Sequence, residues 1–200
     1  LGEPYYYSFQ KLKYVVKNQN IKYVVLGLSY HNISSYYDEL INGNISTVFP
    51  TKIFFCLDFI EKLRVISWNR NKLFFLLREL INSVENKWYN LEPADNKYSF
   101  STGFKNNLYN EKVIIKNVQN RVNSQFFTSQ NQLQSFSYKN IYYLKKIISF
   151  CKENNLKITL LTTPLHPEYV RLVPQEYRSE LKEIINKNNV QLIDLENLAL

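Results

Sequence analysis

The sequence predicts an α/β fold, a three-layer sandwich built on a mainly parallel sheet. At both ends of the chain a helical pattern of apolar residues is followed closely by a short, apolar, β-branched run, as in IKYVVLGL at 21–28. Apolar runs without polar alternation are typical of strands covered on both faces. Short helix-to-strand spacing indicates parallel strands that are joined by right-handed crossovers.

The elements follow one another in a regular order outside the middle of the chain. The first helix is predicted to begin after Pro4, because the missing N–H of proline costs nothing in a first helical turn. Its apolar positions, Phe9, Leu12 and Val15, recur at helical spacing. Further helices are predicted at 138–152 and about 175–187, and further strands at 156–164 and 190–195.

The middle of the chain, about 45–135, interrupts this rhythm. Helical patterns are present at about 51–65 and 70–87, whereas 88–135 is rich in Asn, Ser, Gln and Tyr and has little periodicity. We interpret 45–135 as a long, mostly helical and irregular insertion between two strands. Insertions of this length are often functional. With no Pro- or Gly-rich linker, residues 1–200 are predicted to be a single, incomplete α/β domain.

The composition argues against several functional classes. The formal net charge is +8, but the lysines are scattered singly among Asn, Tyr and Ile, so no nucleic-acid partner is predicted. A nucleic-acid-binding α/β domain is a further alternative that only the net charge supports. No apolar run is long enough to span a bilayer. With two histidines and two separated cysteines, no metal site and no cofactor are predicted. Cys56 and Cys151 are expected to be buried thiols, although a disulfide between them stays open.

Polar residues follow each predicted strand, where a parallel sheet binds its ligands. Ser29, His31 and Asn32 come after the first strand, Thr163 and His166 after the second, and Asp194 after the third. We expect the first two groups to line a cleft. A surface or packing role for each histidine is the alternative. Asp194 is expected to cap the following segment, because Asp side chains compete well for backbone N–H groups.

The stretch VVLGLSYHN resembles the G-x-S-x-G turn that carries a nucleophilic serine. It lacks the second glycine, because Tyr30 and His31 follow Ser29 directly. On an extended segment, a histidine two positions later is also expected to point away from the serine. The sequence therefore predicts that Ser29 is a polar lining or capping residue and not a nucleophile.

The order of elements resembles the SGNH (GDSL-like) hydrolase superfamily, especially bacterial polysaccharide O-acetyl esterases and acetyltransferases. Gly2 with the helix from Pro4 resembles the block whose glycine N–H helps form the oxyanion hole. The strand ending at Ser29 resembles the G-x-N-D block, with Ser29 or Asn32 in the place of its asparagine. Two further segments resemble the later strands and loops of that family: LKITLLTTPLHPEY and VQLIDLENLAL.

The resemblance implies a parent esterase or O-acyltransferase that acts on acyl esters of surface carbohydrate, in an extracytoplasmic bacterial setting. No G-D-S and no D-x-x-H block occurs here, so these 200 residues are expected to lack the nucleophile and catalytic histidine and to be inactive alone. The alternative is a non-catalytic SGNH-like domain that binds a glycan or protein. The implied oxyanion-hole or cleft-lining residues are Gly2, Ser29, His31, Asn32, Thr163 and His166.

Overall fold

The computed structural model describes residues 4–36, 38, 57–68 and 111–196 of the chain. Three strands and six α-helices lie within these residues. The strands are β1 (Tyr23–Leu28), β2 (Lys157–Thr162) and β3 (Gln191–Ile193). The helices are α1 (Tyr5–Asn18), α2 (Phe59–Trp68), α3 (Glu111–Phe126), α4 (Tyr138–Glu153), α5 (Pro167–Leu172) and α6 (Gln175–Asn188), and a 3-10 helix spans Tyr30–Ile33.

The three strands form one parallel sheet in the order β1-β2-β3. Val25 is in register with Thr159, and Leu160 is in register with Leu192. All three carboxyl ends therefore lie at the same edge of the sheet. The α/β class, the parallel pairing and the position of each predicted strand within two residues are confirmed.

The core lies between one face of the sheet and the helices. Because successive parallel strands are adjacent and such crossovers are right-handed, α4 and α6 cover the same face. Helix α1 packs against α4 and shares their apolar core. Fully buried members of that core are Leu144, Ile147, Ile148, Cys151, Leu160 and Tyr177.

The other face of the sheet is open within the described part of the chain. Tyr23 and Val25 are 67% and 65% exposed, and Ile193 is 43% exposed. The expectation of strands buried on both faces is therefore not met among the described residues. Right-handed crossovers between neighbouring strands place the described helices α4 and α6 on one side, so no described connecting helix covers the other face.

Local residue chemistry explains the helix ends. Pro4 precedes α1, as predicted. Ser137 caps α4, where its side chain accepts a 3.0 Å hydrogen bond from the backbone N–H of Asn140. Asn189 ends α6 in the left-handed conformation with φ 46°, which asparagine tolerates better than most residues. The predicted start of the first helix after Pro4 and the helices predicted at 138–152 and about 175–187 are confirmed within two residues.

The predicted insertion is described only in part. A helix was expected at about 51–65, and α2 spans Phe59–Trp68. Helix α3 lies in a stretch predicted to be irregular, and that prediction is wrong for Glu111–Phe126. Ile115, Val118, Val122 and Phe126 recur at helical spacing, but the many Asn and Gln residues of the surrounding stretch outweighed this local signal. The helix predicted at 70–87, residues 88–110, Cys56 and Gly2 lie outside the described residues.

Over the ranges that the structure describes, no helix has the length and apolar character needed to cross a membrane, and the same ranges hold no cluster of His, Cys, Asp and Glu suited to a metal ion.

The cysteine on α4 is a buried free thiol, as expected for Cys151. Burial raises the pKa of that thiol to about 11, which keeps it protonated and unreactive at neutral pH.

Candidate functional site

A cavity of about 590 Å³ opens beside the carboxyl end of β1, which is within the usual range for small-molecule sites. Helix α1, the 3-10 helix, the loop after β2 and helix α3 form its walls. Its polar lining consists of Ser8, Ser29, His31, Asn32, Arg121, Thr163 and His166. Its apolar lining includes Leu26, Leu28, Val118, Leu165 and Tyr169. Ser29, His31, Asn32, Thr163 and His166 are thus among the residues that line one cavity, whereas Gly2 lies outside the described residues.

Ser29 and His31 are in direct contact, contrary to the sequence-based expectation. The Ser29 Oγ lies 2.7 Å from Nδ1 of His31. The chain is extended at Ser29 (φ −150°, ψ 150°) but turns at once into the 3-10 helix Tyr30–Ile33. This tight turn brings the side chain at position i+2 back to the serine. The prediction that the histidine points away was wrong because it assumed a continuing strand.

His31 is held in its neutral form. Burial lowers the pKa of its imidazole to about 4, and the positive charge of Arg121 acts in the same direction. A neutral imidazole can donate from Nδ1 to the Ser29 oxygen or, in the other tautomer, accept the Ser29 proton. In the first case the serine hydroxyl is available to donate a hydrogen bond into the cavity.

The low pKa weakens the case for Ser29 as a nucleophile. A general base works best when its pKa lies near the operating pH, and about 4 is far below it. No Asp or Glu of the described residues lines the cavity, so none is placed there to orient the imidazole as in a catalytic triad. The pair is therefore better suited to binding than to activating a serine.

Asn32 places an amide on the cavity wall. The residue is 6% exposed and lines the cavity, and its carboxamide forms no hydrogen bond with any described residue. Its backbone is fixed, because Asn140 donates from its side-chain amide to the Asn32 carbonyl and accepts a 2.8 Å hydrogen bond from the Tyr5 N–H. The fully buried Asn140 thus ties α1, α4 and the 3-10 helix together at the cavity edge.

Arg121 is the one Lys, Arg, Asp or Glu side chain among the described lining residues. It lies on α3, and its guanidinium forms neither a salt bridge nor a hydrogen bond within the described part of the chain. Reasoning from sequence missed this residue. Val118, Val122 and Phe126 recur at helical spacing and mark the buried side of α3, but the segment was interpreted as irregular, so the position of Arg121 beside that side went unnoticed.

The second predicted group lines the cavity from the segment after β2. Thr163 and His166 follow β2 and are both exposed. His166 also caps α5, where its Nδ1 accepts a 3.2 Å hydrogen bond from the Glu168 N–H. This capping role is consistent with the alternative interpretation, in which His166 is a surface histidine without a ligand. Both histidines nevertheless line the same cavity.

The end of β3 stabilises this edge of the sheet without lining the cavity. Asp194 accepts hydrogen bonds from the Thr162 hydroxyl and from the Glu196 N–H at 3.1 Å, which confirms its predicted capping role. The buried Glu196 in turn accepts a 2.6 Å hydrogen bond from the Tyr30 hydroxyl. Burial and this carboxylate raise the pKa of Tyr30 above its usual value. Together these contacts fix the segments that follow all three strands.

Fold and site together define an α/β protein with a cavity of about 590 Å³ at the carboxyl ends of its parallel strands β1 and β2. Searches against protein-family models, curated protein sequences and solved structures gave no match. The resemblance to the SGNH hydrolases accordingly stays a prediction from the sequence.

Proposed function

We propose that the cavity is the acyl-binding cleft of an SGNH-hydrolase-like esterase or O-acyltransferase that acts on acyl esters of carbohydrate. The single observation that carries this proposal is the pair of potential hydrogen-bond donors, Ser29 and Asn32, beside an apolar wall at the carboxyl end of β1. An acyl carbonyl needs donors for its oxygen and an apolar surface for its chain. A cleft at the carboxyl ends of parallel strands is also where open α/β sheets bind ligands.

In this proposal Ser29 and Asn32 are oxyanion donors. A neutral His31 that donates from Nδ1 keeps the Ser29 oxygen in place and leaves its hydroxyl proton free for the substrate. The Asn32 carboxamide has two N–H donors and no partner among the described residues. The nucleophile and the catalytic base are supplied from outside the described residues. The proposed fold also includes a second helical layer on the open face of the sheet.

One observation favours a non-catalytic binding domain as the second candidate. A serine esterase needs a base with a suitable pKa and a carboxylate that orients it. The described cavity lining has no carboxylate, and its buried histidine has a pKa of about 4. A cavity of this kind can bind an acylated glycan without cleaving it.

Turnover of an acetyl ester by the protein at its full natural length tests the first candidate. We expect hydrolysis of the ester, labelling by a fluorophosphonate serine probe, and about a hundredfold slower turnover in Ser29→Ala, since one oxyanion donor is lost. Labelling should survive in that variant. Ser179→Ala, which removes an exposed hydroxyl on α6, is the matched control and should leave turnover unchanged.

Other outcomes would contradict this assignment. If Ser29→Ala abolishes both turnover and labelling, Ser29 is the nucleophile and its role as an oxyanion donor is wrong. If the unaltered protein shows neither turnover nor labelling, the esterase proposal fails and the binding domain is the better explanation.

A further inference from the structure

Among the described residues, the cavity lining combines one arginine with no Asp, Glu or Lys side chain. Arg121 is exposed on α3 at the cavity wall, and its guanidinium has no partner among the described residues. Surface arginines beside an acid form ion pairs, as Arg171 does with Glu168 at 2.7 Å. No Asp or Glu of the described residues competes for Arg121 within the cavity.

Two neutral polar groups lie on the same cavity. Asn32 is 94% buried, as its 6% exposure implies, and faces the cavity with an unpaired carboxamide within the described part of the chain. Its amide atoms are not among the buried polar atoms that lack a partner in the described part of the chain, so they are accessible from the cavity and available to a ligand. Ser8 lies on the α1 side of the same cavity and adds a hydroxyl.

The positive charge of Arg121 favours an anionic ligand in the cavity over a cationic one. A guanidinium presents a planar fork of N–H donors that matches the two oxygens of a carboxylate. His31 is neutral at pH 7 and adds no second positive charge, so the site is suited to a single negative charge. The apolar wall formed by Leu26, Val118 and Leu165 then faces the uncharged part of the ligand.

We propose that the cavity binds a small, sugar-sized ligand that carries one carboxylate, with Arg121 as the carboxylate-binding residue and Asn32 as a donor to the neighbouring polar groups. This inference rests on the proposed function, whose substrate class it specifies as an acidic carbohydrate. A cavity of about 590 Å³ is large enough for such a ligand.

Binding of glucuronate and of glucose to the full-length protein, measured by calorimetry, tests the proposal. The two sugars share a ring and differ in the carboxylate. We expect glucuronate to bind at least about tenfold more tightly, since a charge-assisted hydrogen bond has about that effect. Arg121→Gln should remove the preference, and Asn32→Ala should weaken both sugars without removing it.

The matched control is Lys116→Gln, which removes one positive charge from an exposed position of the same helix that does not line the cavity. It should leave the preference intact. Equal affinity for the two sugars, no binding of glucuronate, or equal losses in Arg121→Gln and Lys116→Gln would each overturn the proposal. Tighter binding of inorganic phosphate than of glucuronate would overturn the assignment to a carboxylate.

The two proposals fail in different ways. Turnover of a neutral acetyl ester without any preference for glucuronate would refute the acidic ligand and leave the esterase in place. A preference for glucuronate that depends on Arg121, without ester turnover, would support the acidic ligand and refute the esterase.

Discussion

The buried His31 should make the protein lose stability in mild acid. Its pKa is lowered from 6.5 to about 4 in the folded protein, first by burial and then by Arg121. Below about pH 6.5 the unfolded chain therefore binds a proton that the folded protein does not take up until about pH 4. The free energy of unfolding falls as the pH decreases through this window.

The size of the effect follows from the two pKa values. Each unit of difference corresponds to about 1.4 kcal/mol, so the full effect is about 3 kcal/mol, of which roughly 2 kcal/mol separates pH 7 from pH 4.5. Other groups also titrate in this range, so the quantity to compare is the difference between the unaltered protein and His31→Asn. Asparagine keeps an acceptor near Ser29 but does not titrate.

Urea unfolding at pH 7 and pH 4.5 gives the four free energies that are needed. The His31→Asn variant should gain roughly 2 kcal/mol relative to the unaltered protein on going to pH 4.5. NMR titration of the His31 ring gives an independent measure of its pKa. A difference between the two proteins that does not change with pH, or a ring pKa near 6.5, would refute the account of a neutral, buried imidazole.

Two further predictions concern the contacts that hold the cavity edge. Asn140→Leu should lower the free energy of unfolding by roughly 3 kcal/mol, because the Tyr5 N–H and the Asn32 carbonyl both lose a buried hydrogen bond; a loss below about 1 kcal/mol in chemical denaturation would contradict this. Tyr30→Phe should cost about 1 kcal/mol by removing the donor to the buried Glu196 carboxylate. In a protein that already carries Glu196→Gln, Tyr30→Phe should lower the free energy of unfolding by less. An equal decrease in both backgrounds would show that the hydrogen bond to the carboxylate does not cause it.

The resemblance to SGNH hydrolases and the acidic ligand address different questions. The first rests on the order of strands and helices together with loose motifs, and it proposes a type of reaction. The second rests on Arg121, which no motif indicated, and on the charge of the cavity. Experiments on ester turnover and on carboxylate binding therefore bear on them separately.

The sequence by itself determined the order and type of the elements around the sheet. Apolar β-branched runs and helical repeats are local patterns, so the positions of β1, β2 and β3 can be predicted from the residues of each segment alone. Parallel pairing followed from the short spacing of helices and strands. Because the carboxyl ends of parallel strands meet at one edge, the sequence also indicated that Ser29 and His166 would lie near each other.

Only the tertiary structure decided how the site residues are arranged. The contact between Ser29 and His31 depends on a 3-10 turn that the local pattern did not reveal. The low pKa of His31 depends on burial and on the charge of Arg121, which is 90 residues away along the chain. Burial and electrostatics are sums over neighbours in space, whereas the sequence orders neighbours along the chain. The charge and shape of the cavity therefore emerge only when the helices pack against the sheet.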